Sequence, residues 1–546
     1  MDGGEALVRT MIAHGMEVGF TVPGESFLTV LEALRRQRNR FRLVSVRQEG
    51  GGAFAAEAYG KLTGKPAAVL VSRGPGASNA AVGLHTARQD STPLLLVIGH
   101  VRRRSRGREA FQEVDHHAMF ASLAKAVIEP AAADEIPEAA ARAIAKTTEG
   151  RPGPVVLVLP RDLTEAEIGE PELPEAAARA TLTPEPDLLA DAAELLRDAR
   201  RPLIIAGEQI PFEGAHGALV DFASALGAPV MAAYRRQDVL DNEHPAYAGH
   251  LEINRVDFQR GAFADCDLLI AAGSRLDGIT AEDDALLRDG LPLLHIHPDA
   301  EVLMRFGADL AIRADSGPTL AALTPRLSAP PTERLDWRDG LHQAFLTLST
   351  PGAVPVAGEL DLARIAYIVD TSAPADRVIL TDAGSFSRWI HRYTRSRGPR
   401  STAGPMSGAM GYAVPGAIGA HLARPEAAII AYVGDGGFMM TGQELMTAIE
   451  QDLPVKVIVC DNAAQGSILA GQVSKYGEAA DYATRLQSPD FAAVAAAYGA
   501  PSWTVTRTDE FTDAFEAALT HTGPALIHVL TDTRDIAPYG TGKDAV

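Results

Sequence analysis

Short, uninterrupted apolar runs recur along this chain, and helical patterns follow most of them. Strands buried on both faces read this way, and strands that alternate with helices assemble into parallel sheets. In the first third, residues 42–46 read as a strand and 50–63 as a helix. Residues 67–72 form the next strand, followed by a Gly/Pro loop and a helix from Ala77. Strands follow at 93–99 and 154–159. The pattern restarts at RPLIIAG (201–207) and continues through APVMAAY, DLLIAAG and PLLHIHP. It restarts again at RVILTDAGS and continues through AAIIAYVGDGG, PVKVIVCDN and PALIHVLTD. Two breaks without strand pattern lie between: 163–186, rich in Glu and Pro, and 328–358. A chain of 546 residues accommodates roughly three domains. The expected fold is α/β, with three doubly wound parallel-sheet domains over 1–165, 186–330 and 355–540.

Charge narrows the function. The chain carries 70 acidic and 50 basic residues, a net charge of −20, which argues against nucleic acid as a partner. An anionic ligand needs local help from a metal or from backbone N–H groups. The basic run RRRSRGR (102–108) reads as a solvated loop. The two cysteines, Cys266 and Cys460, sit in apolar runs as buried thiols do, and they make neither a disulfide framework nor a zinc pattern. The first residues read as an amphipathic helix and not as a signal peptide, and the apolar runs are far too short to span a bilayer. No membrane role is expected, and the cytoplasm is the expected location.

The segment 426–462 carries the chemistry. It reads as a strand, the turn Gly434-Asp435-Gly436-Gly437, a helix, and a second strand that ends at Asp461-Asn462. Thr441 and Glu444 have the spacing of a capping box that opens the helix. In one βαβ unit, Asp435 and Asn462 leave the carboxyl ends of adjacent parallel strands, the edge where open α/β sheets bind ligands. Asp435 offers a carboxylate oxygen and Asn462 an amide oxygen, a donor set that suits Mg2+ beside a diphosphate. Gly436 and Gly437 let backbone N–H groups approach the phosphates at a helix start. Gly-Asp-Gly alone is a weak signal; the whole unit strengthens it.

This arrangement resembles the signature of the thiamine-diphosphate enzyme superfamily of acetolactate synthase, pyruvate decarboxylase and benzoylformate decarboxylase. That signature begins with GDG and closes with an asparagine pair, the first of which is Asp461 here. The resemblance implies thiamine diphosphate and Mg2+ as cofactors, with Asp435, Asn462 and the backbone carbonyl of Ala464 as metal ligands. It extends over nearly the whole chain. VRQEGGGAFAAEAYGKLTGKPAAVLVSRGPGASNA (46–80) is similar to the pyrimidine-binding segment and places Glu49 as the catalytic carboxylate that protonates the aminopyrimidine, so that its imino form can deprotonate the thiazolium carbon. A carboxyl buried among apolar groups suits that proton sharing. Ser72, Pro75 and Asn79 fall on a cofactor-lining loop. Gly384, Ser385 and Phe386 fall on a diphosphate-contacting loop, and Met410 on the bulky residue that holds the cofactor bent.

FQEVD (111–115) and LPRDL (159–163) look most like the acetolactate synthase branch, where Gln112 is an active-site residue; Arg161 replaces that branch's usual lysine. The branch implies a carboligase or lyase that works on 2-oxo acids or aldehydes through a carbanion/enamine. A plain 2-oxo-acid decarboxylase or 2-hydroxyacyl lyase is the second reading, and a non-catalytic relative of the fold the third. QGSILAGQ (465–472) has Gly471 where synthases carry a tryptophan, which leaves a roomier acceptor pocket. GSRLDG (273–278) resembles a segment of FAD-binding members, so FAD is an open possibility. The resemblance also implies a homodimer or homotetramer whose sites are shared between chains. His116-His117 and His295-Ile296-His297 read as structural histidines.

Overall fold

The computed structural model of the chain describes residues 1–283, 285–288, 290–352, 354–477 and 480–538; the expected domain limit at 540 lies outside them. Among these residues, eighteen strands form three six-stranded sheets whose strand pairings are parallel. The first sheet holds β1 (Val18–Thr21), β2 (Arg42–Ser45), β3 (Ala67–Ser72), β4 (Leu94–His100), β5 (Ala126–Ile128) and β6 (Pro154–Pro160) in the order β2-β1-β3-β4-β6-β5. The second holds β7 (Pro202–Ala206), β8 (Val230–Ala232), β9 (Tyr247–His250), β10 (Leu268–Ala272), β11 (Leu293–Ile296) and β12 (Leu310–Ile312) in the order β12-β11-β10-β7-β8-β9. The third holds β13 (Arg377–Thr381), β14 (Thr402–Ala403), β15 (Ala428–Gly434), β16 (Lys456–Asp461), β17 (Ser502–Val505) and β18 (Ala525–Leu530) in the order β14-β13-β15-β16-β18-β17.

The first and third orders are the same when each set is counted from its own first strand. The second is the dinucleotide-fold order, with its switch point between β7 and β10. Strands such as β3, β4, β6 and β16 are buried almost throughout because helices cover both faces, which is why their sequences do not alternate.

One hydrophobic core runs through both outer domains. It joins Phe54, Ala55 and Tyr59 to Tyr412, Ala417 and Ile418. Helix Glu49–Thr63 and helix Ala413–Ala423 supply this contact, and each lies between the second and third strands of its own domain. Their backbones nearly touch: a Cβ on Gly419 would lie 1.9 Å from the Ala55 carbonyl oxygen.

The central domain is joined by polar contacts instead. Arg236 reaches the backbone and carboxylate of Asp90. Asp90 also pairs with Lys61 at 2.6 Å and accepts from the Met406 N–H. Beside this pair the Tyr412 hydroxyl donates to buried Glu57 at 2.6 Å. The segment 328–358, which has no strand pattern, contains helix Thr332–Leu348. Its Phe345 enters the central core and its Arg334 donates to carbonyls of residues 196–199. Among the described residues, no helix is long and apolar enough to cross a membrane.

Candidate functional site

In the third domain, β15 runs to Gly434 and helix Asp435–Thr441 begins at the next residue. The helix therefore starts earlier than the sequence spacing suggests. Thr441 is its last residue, not a cap, and its hydroxyl donates to the Gly411 carbonyl. Asp435 is buried. Its Oδ1 accepts from Gly436 N–H at 2.9 Å and its Oδ2 from Ala464 N–H at 3.2 Å. Asn462 Oδ1 accepts from the same Ala464 N–H at 3.1 Å. The side chains from the ends of β15 and β16 thus converge on one point of the backbone. Burial pushes the Asp435 carboxyl up to about 6 against the pull of the Gly436 N–H, and neighbouring Asp461 adds to the rise.

Asp461 stands where the sequence signature has asparagine. Burial works to raise its pKa, but His528 at 2.9 Å and Ser488 at 2.7 Å hold it below the usual carboxylate range. The substitution is therefore accompanied by a histidine on β18.

Gly384, Ser385, Phe386, Met410, Asp435, Gly436, Gly437, Asn462 and Ala464 line one cleft of about 240 Å³. Glycine is needed in its wall. A Cβ on Gly437 would come within 2.9 Å of Asp382 Oδ2, and one on Gly436 within 3.1 Å of Met410 Cε. Gly384 has φ +145, which disfavours side chains. Asp382 sits beneath the cleft, fully buried, and accepts from the N–H groups of Ala383 and Gly411. Burial raises its pKa to about 6. The cleft offers a carboxylate and an amide side chain among glycines at a helix start, a donor set that fits a divalent cation and a diphosphate.

A second group of predicted residues gathers at the carboxyl edge of the first sheet. Glu49 is the first residue of its helix, and its Oε2 accepts from Asn79 at 2.8 Å. Gly76 lies against Glu49 Oε1, where a Cβ would be 3.2 Å away. Ser72 ends β3 and bonds Ser26 at 2.7 Å. Pro75 lies exposed in the first turn of helix Arg73–Asp90. The Gln112 carbonyl accepts from Gly74 N–H at 3.0 Å, and Gln112 has φ +66. Glu49 itself is only half-buried in the single chain, and none of this group lines the 240 Å³ cleft.

Further residues at these edges do not read as functional from sequence. His116, read as structural, is buried with its Nε2 3.2 Å from His100 Nδ1 at the end of β4, and burial holds it near 4. Glu444, read as half of a capping box, instead crosses into the first domain. Its fully buried carboxylate accepts from the N–H groups of Arg47 and Gln48, both at 3.0 Å. It caps the segment that presents Glu49. A Cβ on Gly51 would meet it at 2.9 Å. His295 and His297 are buried beside the central switch point. His295 Nε2 bonds the Ser274 carbonyl and His297 Nδ1 accepts from the Asp299 N–H.

Family models match all three domains. Residues 1–119 match the thiamine pyrophosphate enzyme N-terminal TPP-binding domain, 189–323 the central domain, and 382–529 the C-terminal TPP-binding domain. Among the relatives, the acetolactate synthase isozyme 2 large subunit of Escherichia coli (strain K12) is 30% identical over 97% of this chain and 96% of its own length. A probable acetolactate synthase large subunit of Methanocaldococcus jannaschii is 29% identical over 98% of this chain and 93% of its own. A putative thiamine pyrophosphate-containing protein of Bacillus subtilis (strain 168) is 29% identical over 99% and 94%.

Proposed function

The chain belongs to the thiamine pyrophosphate enzyme family, in its acetolactate-synthase-like branch, and from that premise we propose a carboligase that joins 2-oxo acids to 2-oxo-acid or aldehyde acceptors. The observation that carries the reading is the convergence of Asp435 and Asn462 on the Ala464 backbone, inside a glycine-walled cleft at the carboxyl edge of a parallel sheet.

In this reading Asp435, Asn462 and the Ala464 carbonyl would hold Mg2+, whose charge would offset that of a diphosphate, and Gly384, Ser385, Gly436 and Gly437 would line the diphosphate's seat. When bound, thiamine diphosphate supplies a thiazolium carbon able to accept the electrons released as a 2-oxo acid loses its carboxyl group. The protein's own contribution is proton traffic and placement. Glu49 shares a proton with the aminopyrimidine nitrogen, and Asn79 fixes the carboxylate's orientation through Oε2. Phe386 and Met410 give the cleft its bulk. Gln112, whose carbonyl accepts from Gly74 N–H, would contact the substrate from the first domain.

The proposal includes a homodimer or homotetramer. One chain supplies Glu49 and the partner supplies the metal cleft. Two features support this. Among the described residues, none of the first domain lines the cleft, and the faces beside both groups carry exposed apolar side chains. Met439 is 64% and Met440 51% exposed on the helix that begins at Asp435, and Val82 is 41% exposed near Asn79.

FAD fits poorly. A dinucleotide needs small residues at the phosphate turn of the switch-point strand. Here Gly207 is followed by Glu208 and Gln209, whose long side chains are buried there. We read the central domain as flavin-free, which the absorbance of the purified protein near the flavin bands tests.

Product analysis after incubation with pyruvate, alone and with a panel of acceptors, tests the function. C–C coupled hydroxy-oxo products support carboligation. Acetaldehyde as the sole product makes the protein a decarboxylase. Gly471 in place of tryptophan predicts tolerance of bulkier acceptors, worth about 1–3 kcal/mol in preference.

A further inference from the structure

Away from the cofactor cleft, three side chains with metal-ligating atoms converge at the joint between the central and third domains: His250, Glu252 and His391. They come from distant regions of the sequence. His250 ends β9 and Glu252 follows two residues later. His391 lies on helix Phe386–Tyr393 of the third domain. Their side chains are 8%, 10% and 9% exposed, so all three are largely withdrawn from water.

The geometry is compact. Glu252 Oε1 lies 2.9 Å from His250 Nε2 and 3.1 Å from His391 Nδ1. All three ligand atoms fall within 4.8 Å of one another. An ion bound at about 2.0–2.2 Å in tetrahedral geometry sets its ligands roughly 3.4 Å apart, so small side-chain adjustments suffice. The imidazole planes stand at 88°, with centroids 5.7 Å apart, and so do not stack against each other.

The surroundings suit an ion as well. A histidine ligand normally gives its second ring nitrogen to a hydrogen-bond partner, which fixes the tautomer and the ring's orientation. His391 Nε2 lies 2.8 Å from Thr381 Oγ1. The Arg235 guanidinium is directed to the Thr381 and Asp382 carbonyls, and Arg392, which lines the smaller cleft beside His250 and Glu252, donates to the Pro538 carbonyl. An entry path exists too. His391 lines a cleft of about 470 Å³ between the two domains, and His250 and Glu252 line a smaller one.

We propose that His250, Glu252 and His391 form a divalent transition-metal site, best matched to Zn2+, that clamps the central domain to the third. Two imidazoles and one carboxylate select borderline ions over Mg2+ or Ca2+, which prefer all-oxygen sets such as that around Asp435.

The test uses the full-length protein saturated with Mg2+ and thiamine diphosphate, so that the oxygen site is filled. Transition metals are removed with 1,10-phenanthroline, and the protein is then titrated with Zn2+ by calorimetry and with Co2+ by visible absorbance. One ion per chain is expected. Co2+ should give the ligand-field bands of a four- or five-coordinate N/O site, a reading on the unaltered chain that needs no variant to fold. Glu252→Gln and His391→Gln should each abolish stoichiometric Zn2+ binding. Thr381→Val should weaken it by about 10–100-fold. Fewer than one ion per unaltered chain at saturating Zn2+, or an unchanged titration in Glu252→Gln, overturns the proposal. The three residues would then be only a hydrogen-bonded bridge between domains.

Discussion

The first and third domains share one strand order, yet they meet water and ligand differently. In each, the helix between the second and third strands packs against its counterpart, Glu49–Thr63 against Ala413–Ala423. At the start of the first helix stands a carboxylate, Glu49, to which we assign the proton chemistry. At the start of the other stands the loop of Gly408, Met410 and Gly411, shaped by missing side chains. Each helix start is also held by a buried carboxylate, and both carboxylates belong to the third domain. Asp382 receives the Gly411 N–H, and Glu444 receives those of Arg47 and Gln48. The two domains are alike in scaffold and divided in task, which is how one fold hosts different chemistry.

The comparison breaks hardest at Asp435. Asp435→Ala should leave the fold of the third domain but remove the proposed charged ligand. Calorimetry should show Mg2+-dependent thiamine diphosphate affinity falling by more than about 100-fold. Affinity equal to the unaltered chain's would remove Asp435 from the metal site. Glu49→Gln is the opposite lesion. Binding should persist while kcat falls by about 10²- to 10⁴-fold, the range of a lost acid–base group. Near-normal turnover would end its assignment. Together the pair separates holding from proton transfer.

Mixing these two inactive chains sharpens the division. If sites form between chains, a hybrid dimer carries one site with both residues intact. Random exchange at equal amounts should then restore about a quarter of full activity. Zero activity with hybrids demonstrably present means that each chain builds its site alone.

Much of the scaffold is legible in the sequence because its signals are local. The run at 67–72 becomes β3 without adjustment, and the Glu49 helix begins one residue before its expected start. Gly434-Asp435-Gly436 announces a strand-to-helix turn for the same reason. Pairings between distant residues leave no such trace. Nothing near Glu444 indicates that its partners are the backbone of Arg47 and Gln48, some 400 positions away, and local spacing suggests a capping box instead. Likewise, nothing near His391 points to Glu252, or near Asp461 to His528. Gly419 looks like one of many glycines; its necessity arises only where Ala55 arrives.

That contact gives a smaller test. Gly419→Ala must push apart a pair of helices whose backbones already touch, since the new Cβ would lie 1.9 Å from a carbonyl oxygen. Overpacking of this kind costs about 1–3 kcal/mol, and more where backbone must move. Chemical denaturation should show the loss. Gly217→Ala, at a site with open space around the new Cβ, serves as control. Equal stability of the two variants would mean that the helices slide freely.

The finest test asks whether Glu444 does more than fill space. Its carboxylate meets two backbone N–H groups immediately before Glu49, and Thr447 Oγ1 holds its other oxygen at 2.7 Å. Burial raises its pKa, while Thr447 and these donors oppose the rise. Glu444→Gln keeps the shape and an amide oxygen that still accepts from the two N–H groups, but it removes the charge and sets an NH2 against Thr447 Oγ1. The folded state should lose about 1 kcal/mol, the difference between charge-assisted and neutral hydrogen bonds. A purely structural role ends there. If Glu444 also fixes the angle at which Glu49 leaves its helix, kcat should fall about tenfold, equal to roughly 1.4 kcal/mol of barrier. Cofactor affinity should stay unchanged, because no metal-cleft residue has moved. Thr447→Val separates the two roles, since it weakens Glu444's anchoring without touching the donors before Glu49. A Glu444→Gln enzyme with kcat within twofold of normal would show that the first domain orients its own carboxylate, and that the third domain only supports it.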